Sequence, residues 1–126
     1  MNAPFNGPVV GGLLSVVAIA GIGAHPRNAL PILAGYVLAS FFATWTLSVP
    51  AIAVGVCFAT GLAPLSGRGG VLWGITAGIL HAALVTNTAA LQGGFNLYNG
   101  GFASGLVALV LVPCVEVFTS TAKTER

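Results

Sequence analysis

Charge is what this sequence has least of. Four Lys or Arg and two Asp or Glu serve 126 residues, so 5% of the chain is charged, where an ordinary soluble domain carries about 25%. Six charges and 18 glycines cannot build the polar shell that a globule of this size needs, which excludes a water-soluble fold. The cations Arg27, Arg68, Lys123 and Arg126 are too scattered for a nucleic-acid footprint, so no nucleic-acid partner is expected. Acids are scarcer still, since Glu116 and Glu125 form no pair of carboxylates for general acid and base work. Cys57 and Cys114 lie inside apolar runs and read as buried thiols rather than a disulfide. No zinc-type Cys/His spacing and no phosphate-binding glycine loop occurs. No enzyme, catalytic residue, metal or cofactor is therefore expected.

What fills the chain instead is apolar sequence, 56% of all residues. Residues 28–67 and 69–115 are charge-free stretches of 40 and 47 residues, each longer than the roughly 20 residues that cross a bilayer. The reading is an all-α integral membrane protein whose first partner is lipid. Helix-breaking signals divide it into about five short transmembrane segments. They cover 9–23, 29–48, 50–65, 71–91 and 102–118, separated by the His25-Pro26-Arg27-Asn28 loop, Val49-Pro50, the Ser66-Gly67-Arg68-Gly69-Gly70 turn and a polar loop over 92–101. Residues 1–8 form an uncharged extracytoplasmic tail, 9–118 the membrane domain and 119–126 a polar, frayed cytoplasmic tail. The small residues at 21–24 imitate a signal cleavage site, but no cation precedes the first apolar run, and an uncleaved span is favoured.

The third segment is ambiguous. Its 16 residues, 50–65, reach only about 24 Å as a helix, so it is a short span or a re-entrant half-helix. If all five segments cross, Arg27, Arg68 and the Lys123/Arg126 tail share one face, which the positive-inside rule makes cytoplasmic. If the third re-enters, Arg68 and the tail move opposite Arg27. Five crossings are the more economical arrangement. Under it, Phe58-Ala59-Thr60-Gly61-Leu62 and Phe102-Ala103-Ser104-Gly105-Leu106 fall at different depths and read as similar local packing, not duplication.

Apolar contact alone does not join helices in lipid, whereas small residues let backbones approach. Gly74 with Gly78, and Gly101 with Gly105, have that spacing and are assigned to helix packing. His81 is the one ionisable residue deep in a segment, on a face with Gly74, Ala77, Gly78, Leu84 and Thr88. It reads either as a functional intramembrane group or as a neutral imidazole bonded to a neighbouring helix. The 92–101 loop, rich in Gly, Asn and Gln, is either an extracytoplasmic turn or backbone lining a wet cavity. The solute-path candidates are His81, Thr88, Asn96, Tyr98 and Asn99. Glu116 reads as a hydrated interfacial carboxylate, and Trp45, Trp73 and Tyr98 as interfacial anchors.

The stretch 58–64, residues 74–81 and above all the run Asn96-Leu97-Tyr98-Asn99-Gly100-Gly101-Phe102 resemble the C-terminal part of a prokaryotic polytopic membrane family of unknown function. The resemblance covers about residues 50–118. It implies a location in a prokaryotic inner (plasma) membrane and, because members are several times longer, a chain similar to a fragment or a separate subunit. By plan alone there is a distant analogy to urea-transporter-like channels, in which short broken helices meet mid-membrane. The first functional expectation is a transport or channel-like unit for a small polar solute, acting as a homo-oligomer or with a missing half or other membrane subunit. The alternative is a structural or accessory subunit of a larger membrane complex. Convergence of His81, Thr88, Asn96 and Asn99 on a wet cavity separates the first from the second, in which each is satisfied inside packed contacts.

Overall fold

The computed structural model describes residues 5–45, 49–93 and 96–125, and within these not the side chains of Pro50, Ala89, Gln92, Asn96, Leu97 and Tyr98. The described chain is helical, with α1 (Gly7–Gly21), α2 (Pro26–Phe42), α3 (Pro50–Ala59), α4 (Ala63–Gly69), α5 (Val71–Thr88) and α6 (Asn96–Thr124). A 3₁₀ turn, Thr60–Leu62, joins α3 to α4 end to end, and a second, Ala89–Gln92, follows α5. Five rods result. Three, Ala51–Gly69, Val71–Thr88 and Asn99–Thr124, are long and apolar enough to cross a membrane, and α1 is a shorter apolar helix. The protein is an all-α membrane protein.

Local chemistry sets the ends of the rods. Asn6 accepts a hydrogen bond from the Val9 amide at 3.1 Å, capping α1 as a helix-start asparagine does. The His25-Pro26-Arg27-Asn28 stretch is not a loop: Pro26 opens α2, where its missing N–H costs nothing. The buried Asn28 side chain holds this start, accepting from the His25 amide at 2.8 Å and donating to the Gly23 carbonyl at 3.0 Å. α2 stops at Phe42, short of the expected end, and residues 46–48 lie outside the described chain. The third rod is longer than expected. Pro64 falls in the first turn of α4, so it does not end the rod, which continues through Arg68 to Gly69. At 19 residues it reaches about 28 Å, and the length argument for a half-helix disappears. Gly70 then reverses the chain at φ +95°, a left-handed conformation that favours glycine.

The expected polar loop over 92–101 is helical from Asn96 onward, because Asn99 directs its amide to α5 and leaves its own backbone to the helix. The tail expected to fray is also helical, since α6 runs through Pro113 to Thr124.

Contacts that advance in step show which rods run parallel. Pro31 lies against Gly74 and Gly35 against Gly78, so α2 and α5 point the same way. Phe58 meets Gly100, while Leu65 and Arg68 face Val112 and Glu116, so the α3–α4 rod and α6 are parallel too. α1 joins them, with Gly12 on Cys57 and Ile19 on Gly61. One end of the bundle gathers the basic residues. Gly67 lies beside the Asn28 amide and Trp73 stacks on Phe118 at 5.6 Å, which brings Arg27, Arg68 and the last turns of α6 with Lys123 together. Trp45 stands at the other end, after α2.

The tightest crossing is between α2 and α5. A Cβ built on Gly35 would strike the Ile75 carbonyl, and one on Gly78 would strike the Ile32 carbonyl, while each would lie 3.0–3.1 Å from the other glycine's Cα. The contact is reciprocal, as a twofold relation requires, and joins Ile32-x-Ala34-Gly35 to Ile75-x-Ala77-Gly78. The Phe-Ala-Thr/Ser-Gly-Leu stretches on α3 and α6 are neighbours as well, since the Ser104 hydroxyl donates to the Phe58 carbonyl at 3.0 Å. They lie at one depth, so the depth argument against duplication fails. Connections of equal length, 43–49 and 89–95, complete two similar hairpins, α2–α3 and α5–α6. Around this centre, Ile32, Tyr36, Val54, Ala77, Ala82 and Ala103 are buried, whereas Leu14, Phe41, Leu72 and Leu109 point outward toward lipid.

Candidate functional site

His81 occupies the contact between the two hairpins. It is fully buried on the α5 face expected for it, where Gly74, Ala77, Gly78 and Thr88 are also buried. Its Nδ1 pairs with the Tyr36 hydroxyl of α2. Its Nε2 lies 3.0 Å from the Gly100 carbonyl and 2.9 Å from the Ser104 hydroxyl, both on α6. A carbonyl only accepts, so Nε2 carries a hydrogen; in the neutral ring Nδ1 is then an acceptor, and Tyr36 donates to it. Ser104 in turn donates to the Phe58 or Gly100 carbonyl, 3.0 and 3.1 Å away. Four rods, α2, α3, α5 and α6, meet through one imidazole.

A glycine makes this reach possible. A Cβ on Gly100 would come within 2.8 Å of the Phe58 ring, so a larger residue would push α6 from α3 and lengthen the bonds at Ser104. The 3₁₀ turn after α3 departs from the regular i to i−4 pattern where Phe58 takes the serine. Neither Tyr36 nor Ser104 stands out in the sequence, because a single hydroxyl in an apolar run has no spacing signature; their roles exist only once helices meet.

Thr88 and Asn99 form a second, separate cluster. Thr88 donates to the Asn99 side-chain oxygen at 2.5 Å and lies 2.7 Å from the Leu84 carbonyl. The Asn99 amide donates to the Val85 carbonyl at 2.5 Å. This closes the 3₁₀ corner between α5 and α6. The Asn96 and Tyr98 side chains lie outside the described ones. Of the assigned packing glycines, Gly74 lies on Pro31 and Ser66 and Gly78 on Ile32 and Gly35, but Gly105 has nothing within 4 Å and Gly101 only the Phe58 ring at 3.9 Å.

Among the described residues, no buried side-chain nitrogen or oxygen lacks a partner. Cys57 and Cys114 are free thiols, and no three His, Cys, Asp or Glu of the described residues approach as a metal site would require. Glu116 is exposed and shares a cavity of about 60 Å³ with Arg68. A larger cavity of about 600 Å³ opens at the end opposite the basic residues, lined by Thr44, Trp45, Thr86 and Asn87 among others. It does not include His81, Thr88 or Asn99.

The family described as Protein of unknown function (DUF1576) matches residues 1–117, well beyond the 50–118 that the motifs alone suggest. No curated protein and no solved structure compared with the chain matches it.

Proposed function

We propose that this chain, which belongs to the DUF1576 family of proteins of unknown function, is an assembly unit of the membrane: a structural or accessory subunit that docks on other membrane helices. One observation carries the reading. His81, Thr88 and Asn99, three of the five residues considered for a solute path, are buried and engaged in two hydrogen-bonded clusters, and every buried polar side-chain atom described has a partner. Buried networks of this kind hold helices in register, because breaking one member strands the rest. The unit sits with its basic end in the cytoplasm of a prokaryotic inner membrane, an orientation supported by Arg27, Arg68 and Lys123 falling at one end of the bundle.

A specific feature favours a second reading, a transport or channel-like unit acting as an oligomer. The His81 cluster lies where two similar hairpins meet, the place where transporters built from repeats hold their substrates. Flux separates the two. Purified protein in liposomes is assayed for water, urea, ammonia and small amides, alongside His81→Gln. The assembly reading expects no flux above empty vesicles and a lower melting temperature in detergent for the variant. Solute flux that His81→Gln alters while stability holds would replace it with the transport reading.

A further inference from the structure

The two hairpins are alike in sequence and contact, but they are not covered alike. On α3, Cys57 lies 3.4 Å from the Cβ position of Gly12, and Gly61 is covered by Ile19 at 3.8 Å; both partners belong to α1. The matching positions on α6, 44 residues later in the Phe-Ala-Thr/Ser-Gly-Leu alignment, are Gly101 and Gly105. Both are exposed, and a Cβ placed on Gly105 would meet nothing within 4 Å. Beside it an apolar groove of about 420 Å³ runs along Gly105, Ala108, Leu109, Val112 and Pro113. The first hairpin thus has a helix seated on this face and the second has none.

A bare glycine pair on a lipid-facing helix is unfavourable by itself, since glycine is a poorer helix former than alanine. Close approach of another backbone offsets that cost, because van der Waals contact is the main attraction between helices in lipid. The chemistry of the partner can be read from the occupied face: an apolar helix, parallel to its host, that places an aliphatic side chain over the glycine. Among the described helices α1 has that chemistry, and its outer side is unused, with Leu14 and Val17 66% and 70% exposed. α1 and α6 both run parallel to the α3–α4 rod, so a neighbouring copy in the same membrane orientation presents α1 to α6 in the direction that α1 already takes on α3.

We propose that the Gly101/Gly105 face of α6 receives the outer side of α1 from a second copy of this chain. The proposal rests on the assembly reading and deepens it by naming the surface and the partner. The contact is head to tail, α1 of one copy on α6 of the next, and builds a ring or row rather than a twofold dimer.

The test uses the full chain in liposomes with Cys57 and Cys114 replaced by alanine. Donor- and acceptor-labelled copies report association by energy transfer. Gly105→Leu is expected to weaken association about tenfold or more by blocking backbone approach, while the melting temperature in monomerising detergent does not fall, because a side chain at this position starts in open space. In a mixture of Leu14→Cys and Gly105→Cys copies, oxidation should link position 14 to position 105. Linkage of 105 only to itself would mean a symmetric α6–α6 contact and would overturn the proposal. Association that survives Gly105→Leu removes this face but leaves the assembly reading standing. Wild-type copies that never associate overturn the second-copy contact, and the flux assay then judges the assembly reading separately.

Discussion

One imidazole with three partners makes His81 the residue on which the interior turns. Tyr36→Phe removes the donor to Nδ1 and leaves a buried acceptor unpaired, at a cost of about 1–3 kcal/mol. Ser104→Ala takes less, because Nε2 keeps the Gly100 carbonyl and only the Phe58 carbonyl loses a donor; about 1 kcal/mol is expected. Since both act through one ring, the double variant should depart from the sum of the singles by about 0.5 kcal/mol or more. Denaturant unfolding of the four proteins in mild detergent measures this, and strict additivity would mean that the ring does not couple the two hydroxyls. Thr88 and Asn99 lie outside that network, so Tyr36→Phe combined with Asn99→Ala should be close to additive.

Between elements, the decisive distance is the one separating the α2 and α5 backbones. Gly78→Ala adds a single methyl, but the atom it meets is the Ile32 carbonyl, which can move only if α2 moves. Overpacking of this kind costs about 1–3 kcal/mol and sometimes more. Gly105→Ala adds the same methyl inside a helix where it would meet nothing within 4 Å, so the folded monomer should lose no stability and gain up to about 1 kcal/mol from helix propensity. The pair is a controlled comparison, equal in chemistry and opposite in surroundings. Equal melting temperatures for the two variants would sink the close α2–α5 crossing.

At the scale of the whole molecule, the bundle has a polarity of charge. Arg27, Arg68 and Lys123 sit at one end, and the Thr88/Asn99 corner at the other. Single cysteines at 27, 68, 91 and 123, in a background lacking Cys57 and Cys114, should divide cleanly. Position 91, exposed in the turn after α5, should be labelled by an impermeant reagent in intact cells, whereas 27, 68 and 123 should be protected there and labelled after permeabilisation. External labelling at 68 with protection at 27 would reverse the third rod and refute five crossings.

Composition settles the environment of this protein before any fold is known, because a charge-poor chain with two long charge-free stretches lacks the polar shell that water demands and has the length that a bilayer requires. The number of rods, the buried face of α5 and the ionisable residue on it were also legible, since helical periodicity and Pro/Gly punctuation are local signals. Pro64 and the 92–101 glycines were misread for the same local reason: both residue types break helices on average, but Pro64 stands in a first turn where no N–H is needed, and Gly100 is small because Phe58 presses on it. What only the tertiary structure decided is which partner each polar group takes. Tyr36, His81 and Ser104 are 45 and 23 residues apart, and whether His81 meets water, lipid or a tyrosine depends on how two backbones cross at Gly35 and Gly78. That crossing also exposes the likeness of the two hairpins. Two I-x-A-G tetrads are unremarkable in a chain with 18 glycines, and they gain meaning only when each carbonyl is found against the other's glycine.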